Sequence, residues 1–353
     1  MPGPPRISVA DLAAGAADFP LLDDLLDNSG QVTGPPLLAI DLSDPSDPAT
    51  LTAAVARAAD CPRLLVGLAR GPLPASAAPL LRALDVTLTT DSAASRESVT
   101  TPDPGAALQA LHAAATATPQ AALVLAQLLR ATAGLPVRAA LDLESLAYSA
   151  LLGGHEFKTW LHAQPPRKDP PLVQDPVLIR REEDTLKITL NRPERRNAYG
   201  RQLRDALADA LRVALLDPDV TRVVLDGAGP VFSSGGDLGE FGTTPDLATA
   251  HFVRTQAGAA LLLHALRDRA EAHVHGACVG AGVELPAYAV TVIAAEGTTF
   301  RLPEVAMGLI PGAGGTVSIP RRIGRWRTLY LALAGHPLDT ATALAWGLVD
   351  RSG

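Results

Sequence analysis

Two glutamates, Glu284 and Glu304, stand in otherwise apolar surroundings within "VELPAYAVTVIAAEGTTFRLPEVAMGLIPGAGG", residues 283–315. Burial among Ala, Val, Leu and Met raises a carboxyl's pKa, and two carboxylates sharing one site push their values apart. Such a pair suits general acid and base work near neutral pH. Around it lie three glycine-rich turns, "VFSSGGDLGEF" (231–241), "GACVGAGVE" (276–284) and "IPGAGGT" (310–316). Glycine lets the main chain approach a ligand closely, and free N–H groups at such turns can face a developing negative oxygen, above all at a helix start. Two turns of this kind make an oxyanion hole. The segment after "GAG" reads as a helix, and Pro286 within it requires the helix to begin near Gly282, which puts Ala281 and Gly282 at its positive end. Each feature has a plainer explanation when taken alone: a glycine pair is often a tight turn, and a first-turn glutamate suits the helix dipole. No dinucleotide fingerprint, nucleophile elbow or P-loop occurs in the sequence.

These residues need a framework to hold them. "DTLKITLNRP" (184–193) alternates as a half-buried strand, "RQLRDALADALRVALL" (201–216) repeats apolar positions at helical spacing, and "TRVVLDGAG" (221–229) is a short β-branched strand. A helix at about 247–267, then "AHVHGACVGAG" (272–282) and a buried strand "VTVIAAE" (290–296), complete an α/β alternation. Ahead of them, "HAQPPRKDPPLVQDP" (162–176) reads as a linker. The first half echoes the second in order: "LLAIDLSDP" (37–45) beside "TLKITLNRP" (185–193), "DCPRLLVGLARG" (60–71) beside "DVTRVVLDGAG" (219–229), "ALDVTLTT" (83–90) beside "AYAVTVIA" (287–294). The expected organisation is therefore an extension at 1–35, a degenerate repeat with helices at 36–165, a linker at 166–176 and a core at 177–353.

Composition narrows the function. At 353 residues, 47% hydrophobic and 19% charged, the chain can bury a large core. A formal charge of −7, with basic residues clustered only in short runs such as "RPERR" (192–196), argues against nucleic acid as a partner. Cys61 and Cys278 are far apart in the sequence, which fits a reducing compartment and no structural zinc. With no basic start before a long apolar run and no apolar stretch of membrane length, a cytoplasmic protein is expected.

The order of "NRPERRNA", "FSSGGDL", "HGACVGAGVEL", "FRLPEVAMGLIPGAGGT" and "ALAWGLVD" resembles the successive motifs of the crotonase (enoyl-CoA hydratase/isomerase) superfamily over residues 177–353. The resemblance implies a spiral of ββα units, assembled as a homotrimer or a dimer of trimers. It implies an oxyanion hole from the N–H groups of Gly236 and Ala281, the latter alanine where glycine is commoner. It also implies that Glu284 deprotonates water while Glu304 transfers the proton at C2, a syn addition across a 2-enoyl thioester. Coenzyme A, as part of the substrate, is expected along Arg195, Arg196, Ala198, Ser234, Asp237, Leu238 and Gly239; no metal or redox cofactor is implied. His251, Arg254 and His264 lie on the helix that would face an acyl pocket.

The likeness departs from the family in one respect. The chain stops at "GLVDRSG", where a typical member continues into helices that cover the acyl pocket. Residues 122–167 resemble that region, through "LESLAYSALL" and "EFKTWLHAQPPR", so the covering helices are expected ahead of the core. Hydration of a 2-enoyl-CoA is the leading expectation, because both glutamates are present. Double-bond isomerisation, which needs chiefly Glu304, a cofactor-independent dioxygenase reaction, and a catalytically silent acyl-CoA-binding subunit are the alternatives.

Overall fold

The computed structural model describes residues 3–16, 26–27, 32–44, 46–92, 95–165 and 170–353, which fall in two compact units: Met1–Ala131 with Gly324–Ala334, and Thr132–Ile323 with Gly335–Gly353. The first contains β1 (Arg6–Ser8), α1 (Val9–Ala13), β2 (Leu37–Asp41), α2 (Pro48–Asp60), β3 (Leu64–Ala69), α3 (Ala78–Ala83), β4 (Val86–Thr89), β5 (Ser98–Thr100), α4 (Pro104–Ala117) and α5 (Pro119–Ala131). Its described strands are all parallel and lie in the order β1-β2-β3-β4-β5. The side chains of β2 and β3 are almost wholly buried, the continuous apolar run that a parallel strand covered on both faces requires.

The extension expected at 1–35 is in part built into this sheet. Ser8 and Asp11 close a capping box that starts α1, and Val9 and Leu12 enter the core with Leu38, Ile40 and Leu65. Residues 17–25 and 28–31 lie outside the described residues, as do 166–169 of the expected linker.

The second unit holds α6 (Val137–Leu152), α7 (His155–His162), β6 (Val177–Glu182), β7 (Thr185–Leu190), α8 (Arg201–Leu216), β8 (Arg222–Gly227), α9 (Leu247–Ala257), α10 (Ala260–Leu266), β9 (Ala270–Val274), β10 (Ala277–Val279), α11 (Ala281–Glu284), β11 (Thr291–Ala294) and β12 (Thr299–Arg301). It continues with α12 (Gly315–Ala334), whose residues from a break at Gly324 onward are grouped with the first unit, and with β13 (Leu338–Asp339), α13 (Thr340–Trp346) and β14 (Arg351–Ser352). The larger sheet runs β14-β11-β9-β8-β7-β6, parallel except for the antiparallel edge strand β6. Exposure and charge along β6 blunt that edge and hide the strand from a search for buried alternation.

A second set of pairings stacks beside this sheet. Tyr199 bridges Gly236, Ser233 bridges Cys278, and Cys278 pairs with Phe300, all in parallel. Each turn of the chain thus lays one strand in the large sheet and one short segment in the small one, the ββα spiral anticipated above. Both cysteines are buried and unbridged.

Three differences from expectation have local causes. The helix expected at 247–267 divides into α9 and α10 at Gly258, whose backbone is extended (φ −71°, ψ 152°). The echoing segments are strands in both units, yet β3 pairs directly with β4 whereas β9 lies between β8 and β11, so their likeness is one of order and not of position. Lastly, the units divide between Ala131 and Thr132, well before the expected linker, because α6 and α7 bury their apolar faces within the second unit.

Candidate functional site

The turn after β7 is built around Asn197. Its φ of 52° is one that asparagine tolerates, and its side chain accepts from Arg192 N (2.8 Å) and donates to the carbonyls of Ala228, Val231 and Phe232 (2.8–3.1 Å). Ser233 Oγ then donates to Asn197 O at 2.8 Å. The motif "NRPERRNA" is therefore a pinned turn that delivers Tyr199 beside Gly236. Gly235 lies at φ 87°, and a Cβ there would stand 2.8 Å from Val279 O, so only glycine lets the turn at 233–237 press against the turn at 279–282.

At this contact two main-chain donors are left over. Gly235 N donates to Ser233 Oγ (3.2 Å), Asp237 N to Tyr199 O (3.3 Å) and Gly280 N to Arg301 O (2.9 Å). Among the described residues the N–H groups of Gly236 and Ala281 donate to no protein group, and Ala281 is the first residue of α11, where a helix has no internal acceptor for its N–H. Both residues line a cavity of about 360 Å³ that also takes Tyr148, Arg254, Glu284, Glu304, Gly312 and Ala313.

The two glutamates reach this cavity from different elements and in different states of satisfaction. Glu284 ends α11 and is buried; its Oε2 accepts from Ala313 N (2.7 Å) and Gly315 N (2.8 Å). Glu304 begins the helical turn after β12. Its Oε1 lies where a Cβ on Gly280 would be 2.4 Å away, and its buried Oε2 has no hydrogen-bond partner. A partnerless buried carboxyl oxygen beside free N–H donors is an arrangement that can hold a polarised carbonyl and move a proton to or from its neighbour.

Residues 180–352 match the profile of the family described as enoyl-CoA hydratase/isomerase. Over 182 residues the chain is 33% identical to a probable enoyl-CoA hydratase of Mycobacterium bovis, covering 51% of this chain and 69% of that protein. This chain belongs to the enoyl-CoA hydratase/isomerase family. It is also 34% identical to the 2,3-dehydroadipyl-CoA hydratase of Escherichia coli, over 49% of this chain and 68% of that one, and 34% identical to the 1,2-epoxyphenylacetyl-CoA isomerase of the same organism, over 49% and 68%.

Gly236, Asp237, Ala281, Glu284 and Glu304 of this family member all line the one cavity. The remaining residues expected to meet coenzyme A, Arg195, Arg196, Ala198, Ser234, Leu238 and Gly239, lie outside that lining. Asp237 is itself buried and forks onto Arg195 (Nε 3.0 Å, Nη2 2.5 Å) while accepting from Gly239 N at 2.9 Å, so these three hold the strap 234–240 together. Arg196 and Leu238 remain exposed.

Helix α6, ahead of the core in the chain, reaches the site directly. Tyr148 and Leu152 line the cavity, and Gly312 has no room for a Cβ against the Tyr148 ring. Arg254 sits 4.5 Å above that ring and donates to Ser145 Oγ and Ser145 O, each at 3.1 Å, and to Ser149 Oγ, which ties α9 to α6. His251 Nδ1 lies 3.0 Å from Ser145 Oγ, while His264 packs edge-on against Tyr288. Of the expected covering segment 122–167, α6 lines the cavity, while α5 is grouped with the first unit and 166–167 lie outside the described residues. Sequence reasoning missed Glu144, Tyr148 and Tyr199; the only signal for the first two was the resemblance carried by "LESLAYSALL".

Burial raises both catalytic candidates. Glu284 is pushed well above the ordinary carboxyl range by burial and then by the charges of Glu304 and Glu144, against the pull of the Ala313 and Gly315 N–H groups. Glu304 is pushed up by burial to about 7. Because two carboxylates in one cavity resist joint ionisation, the pair shares a proton: the two N–H donors favour the charge on Glu284, while its deeper burial and the charges of Glu304 and Glu144 oppose it. A carboxyl whose folded pKa exceeds its unfolded value stabilises the fold fully below about 4.5, and this contribution is lost as pH rises through about 7. Glu304→Gln is therefore expected to flatten the pH dependence of stability: about 3 kcal/mol of loss between pH 4.5 and 8 should disappear, read from urea midpoints at each pH.

Proposed function

We propose that this family member adds water across the double bond of a 2-enoyl-CoA, and eliminates it in reverse. The observation that carries the reading is the pairing of two buried glutamates with the free N–H groups of Gly236 and Ala281 around one cavity. The thioester oxygen takes both N–H bonds, so that electron density withdrawn from C3 collects there as an enolate. Glu284 accepts a proton from water as the water oxygen bonds to C3, the C2=C3 π pair moves into the enolate, and Glu304 delivers its proton to C2. One proton thus leaves water and one arrives at carbon, with no net change in oxidation state; no metal or redox cofactor takes part.

Coenzyme A binds along the strap 234–239, its adenine against the main chain there and the exposed Leu238. With Arg195 already engaged by Asp237, the phosphate contact falls to Arg196, and Ala198 and Gly239 supply main chain. A cytoplasmic homotrimer or dimer of trimers belongs to the same proposal; the exposed Leu178, Ile179, Val213 and Leu216 of β6 and α8 support a subunit contact.

The test is turnover of crotonyl-CoA in oxygen-18 water. Loss of the enone absorbance with label at C3 is expected. Conversion of a 3-enoyl-CoA to its 2-enoyl isomer without labelling would replace hydration by isomerisation, and tight thioester binding without turnover of either would overturn the proposal.

A further inference from the structure

Four consecutive N–H groups at the start of α12 are shared between two carboxylates in alternation. Glu284 Oε2 takes Ala313 and Gly315, while Glu144 Oε1 takes Gly314 N (2.8 Å) and its Oε2 takes Thr316 N (2.9 Å) and Thr316 Oγ1 (2.7 Å). Glu144 is 3% exposed, and it comes from α6, a helix outside the region matched by the family profile. Neither carboxylate can shift without dragging the turn that holds the other. Gly314 lies at φ 101° and Gly315 has a Glu284 Cγ 2.5 Å from where a Cβ would stand, so the turn has little freedom of its own. Tyr288 Oη donates to Gly314 O (3.0 Å) and Ser318 Oγ to Glu284 O (2.7 Å), which ties the turn to α11.

We propose that Glu144 is a positioning residue for the reaction: by holding Gly314 and Thr316 it aims the Ala313 and Gly315 N–H groups at Glu284, so that α6 is a working part of the site and not only its cover. The inference rests on the hydratase reading above. The groups that face Glu144 are Glu284 and Tyr288 from the α11 segment, Glu304 from the turn after β12, Arg254 from α9 and Tyr148 from α6 itself. Burial pushes Glu144 itself up to about 7, against the pull of its Thr316 and Gly314 donors and of Arg254; in its ionised form its charge raises the proton affinity of both catalytic glutamates.

Glu144→Ala and Glu144→Gln in the full chain test this, with crotonyl-CoA kinetics and amide hydrogen exchange measured on the same samples. Glu144→Ala should lower kcat by about 10- to 100-fold with KM within about 3-fold, the signature of a misplaced base rather than lost binding. Exchange at residues 313–316 should quicken while the large sheet stays protected. Glu144→Gln keeps one acceptor oxygen and should recover part of kcat. Because it removes the charge, both limbs of its pH profile for kcat/KM should move to lower pH. Unchanged kcat in both variants, or exchange that quickens evenly through the second unit, would overturn the proposal. If Glu144→Ala does not fold, the Gln variant alone decides by the pH shift. Loosened exchange at 313–316 in a chain that does not hydrate enoyl-CoA would keep the positioning role and sink only the hydratase reading.

Discussion

Glu304→Gln is expected to lower kcat for crotonyl-CoA hydration by about 10³-fold, with KM nearly unchanged. Glutamine keeps the volume and the packing against Gly280, where no Cβ would fit beside Oε1, so the substitution removes the transferable proton and little else. Burial pushes Glu304 up to about 7, so that about half of these carboxyls carry a transferable proton near neutral pH. Glu284→Gln should fall by a similar factor, because an amide can still meet the Ala313 or Gly315 N–H through one oxygen but cannot take a proton from water. The double variant should be little worse than either single one, since the two groups act on one proton inventory. Isomerisation of a 3-enoyl-CoA would separate the roles: it should survive Glu284→Gln better than hydration does. Full hydratase activity in both single variants would sink the assigned mechanism.

Asp85→Ala is expected to cost the first unit about 3–5 kcal/mol, seen as a shifted urea midpoint for that unit. Asp85 is 1% exposed at the start of β4. It accepts from Arg130 Nε (2.7 Å) and Nη2, from Arg325 Nη1 (3.2 Å) and from Leu65 N (2.8 Å). Both guanidiniums spend their other donors on main-chain carbonyls, Arg130 on Cys61 and Arg63, Arg325 on Arg82, Ala83 and Leu84. Removing the carboxylate would leave two buried cations facing each other without their shared counter-ion. A midpoint displaced by less than about 0.5 kcal/mol, as for an ordinary surface change, would show that water replaces the carboxylate and that the cluster carries no weight.

The catalytic candidates were legible because each depends on a short run of chain. Gly236, Ala281, Glu284 and Glu304 follow strands by fixed intervals, and the glycines beside them dictate backbone conformations that glycine alone adopts easily. The coenzyme A set was less legible. Whether Arg195 is free for a phosphate depends on Asp237, 42 residues away, and nothing in "RPERRNA" shows that the guanidinium is already taken. The same limit hid the boundary between units. The proline-rich run at 162–176 breaks local periodicity, but where a chain divides depends on which partner α6 buries its apolar face against.

Local pattern thus sufficed for β7, β8, β11, α8 and the family, since periodicity and backbone freedom act over a few residues. Folding alone settled that Glu144 meets Gly314 across 170 positions and Thr316 across 172. A buried carboxylate takes whatever donors the packed core leaves open, and those donors belong to segments that only the complete fold brings within 3 Å.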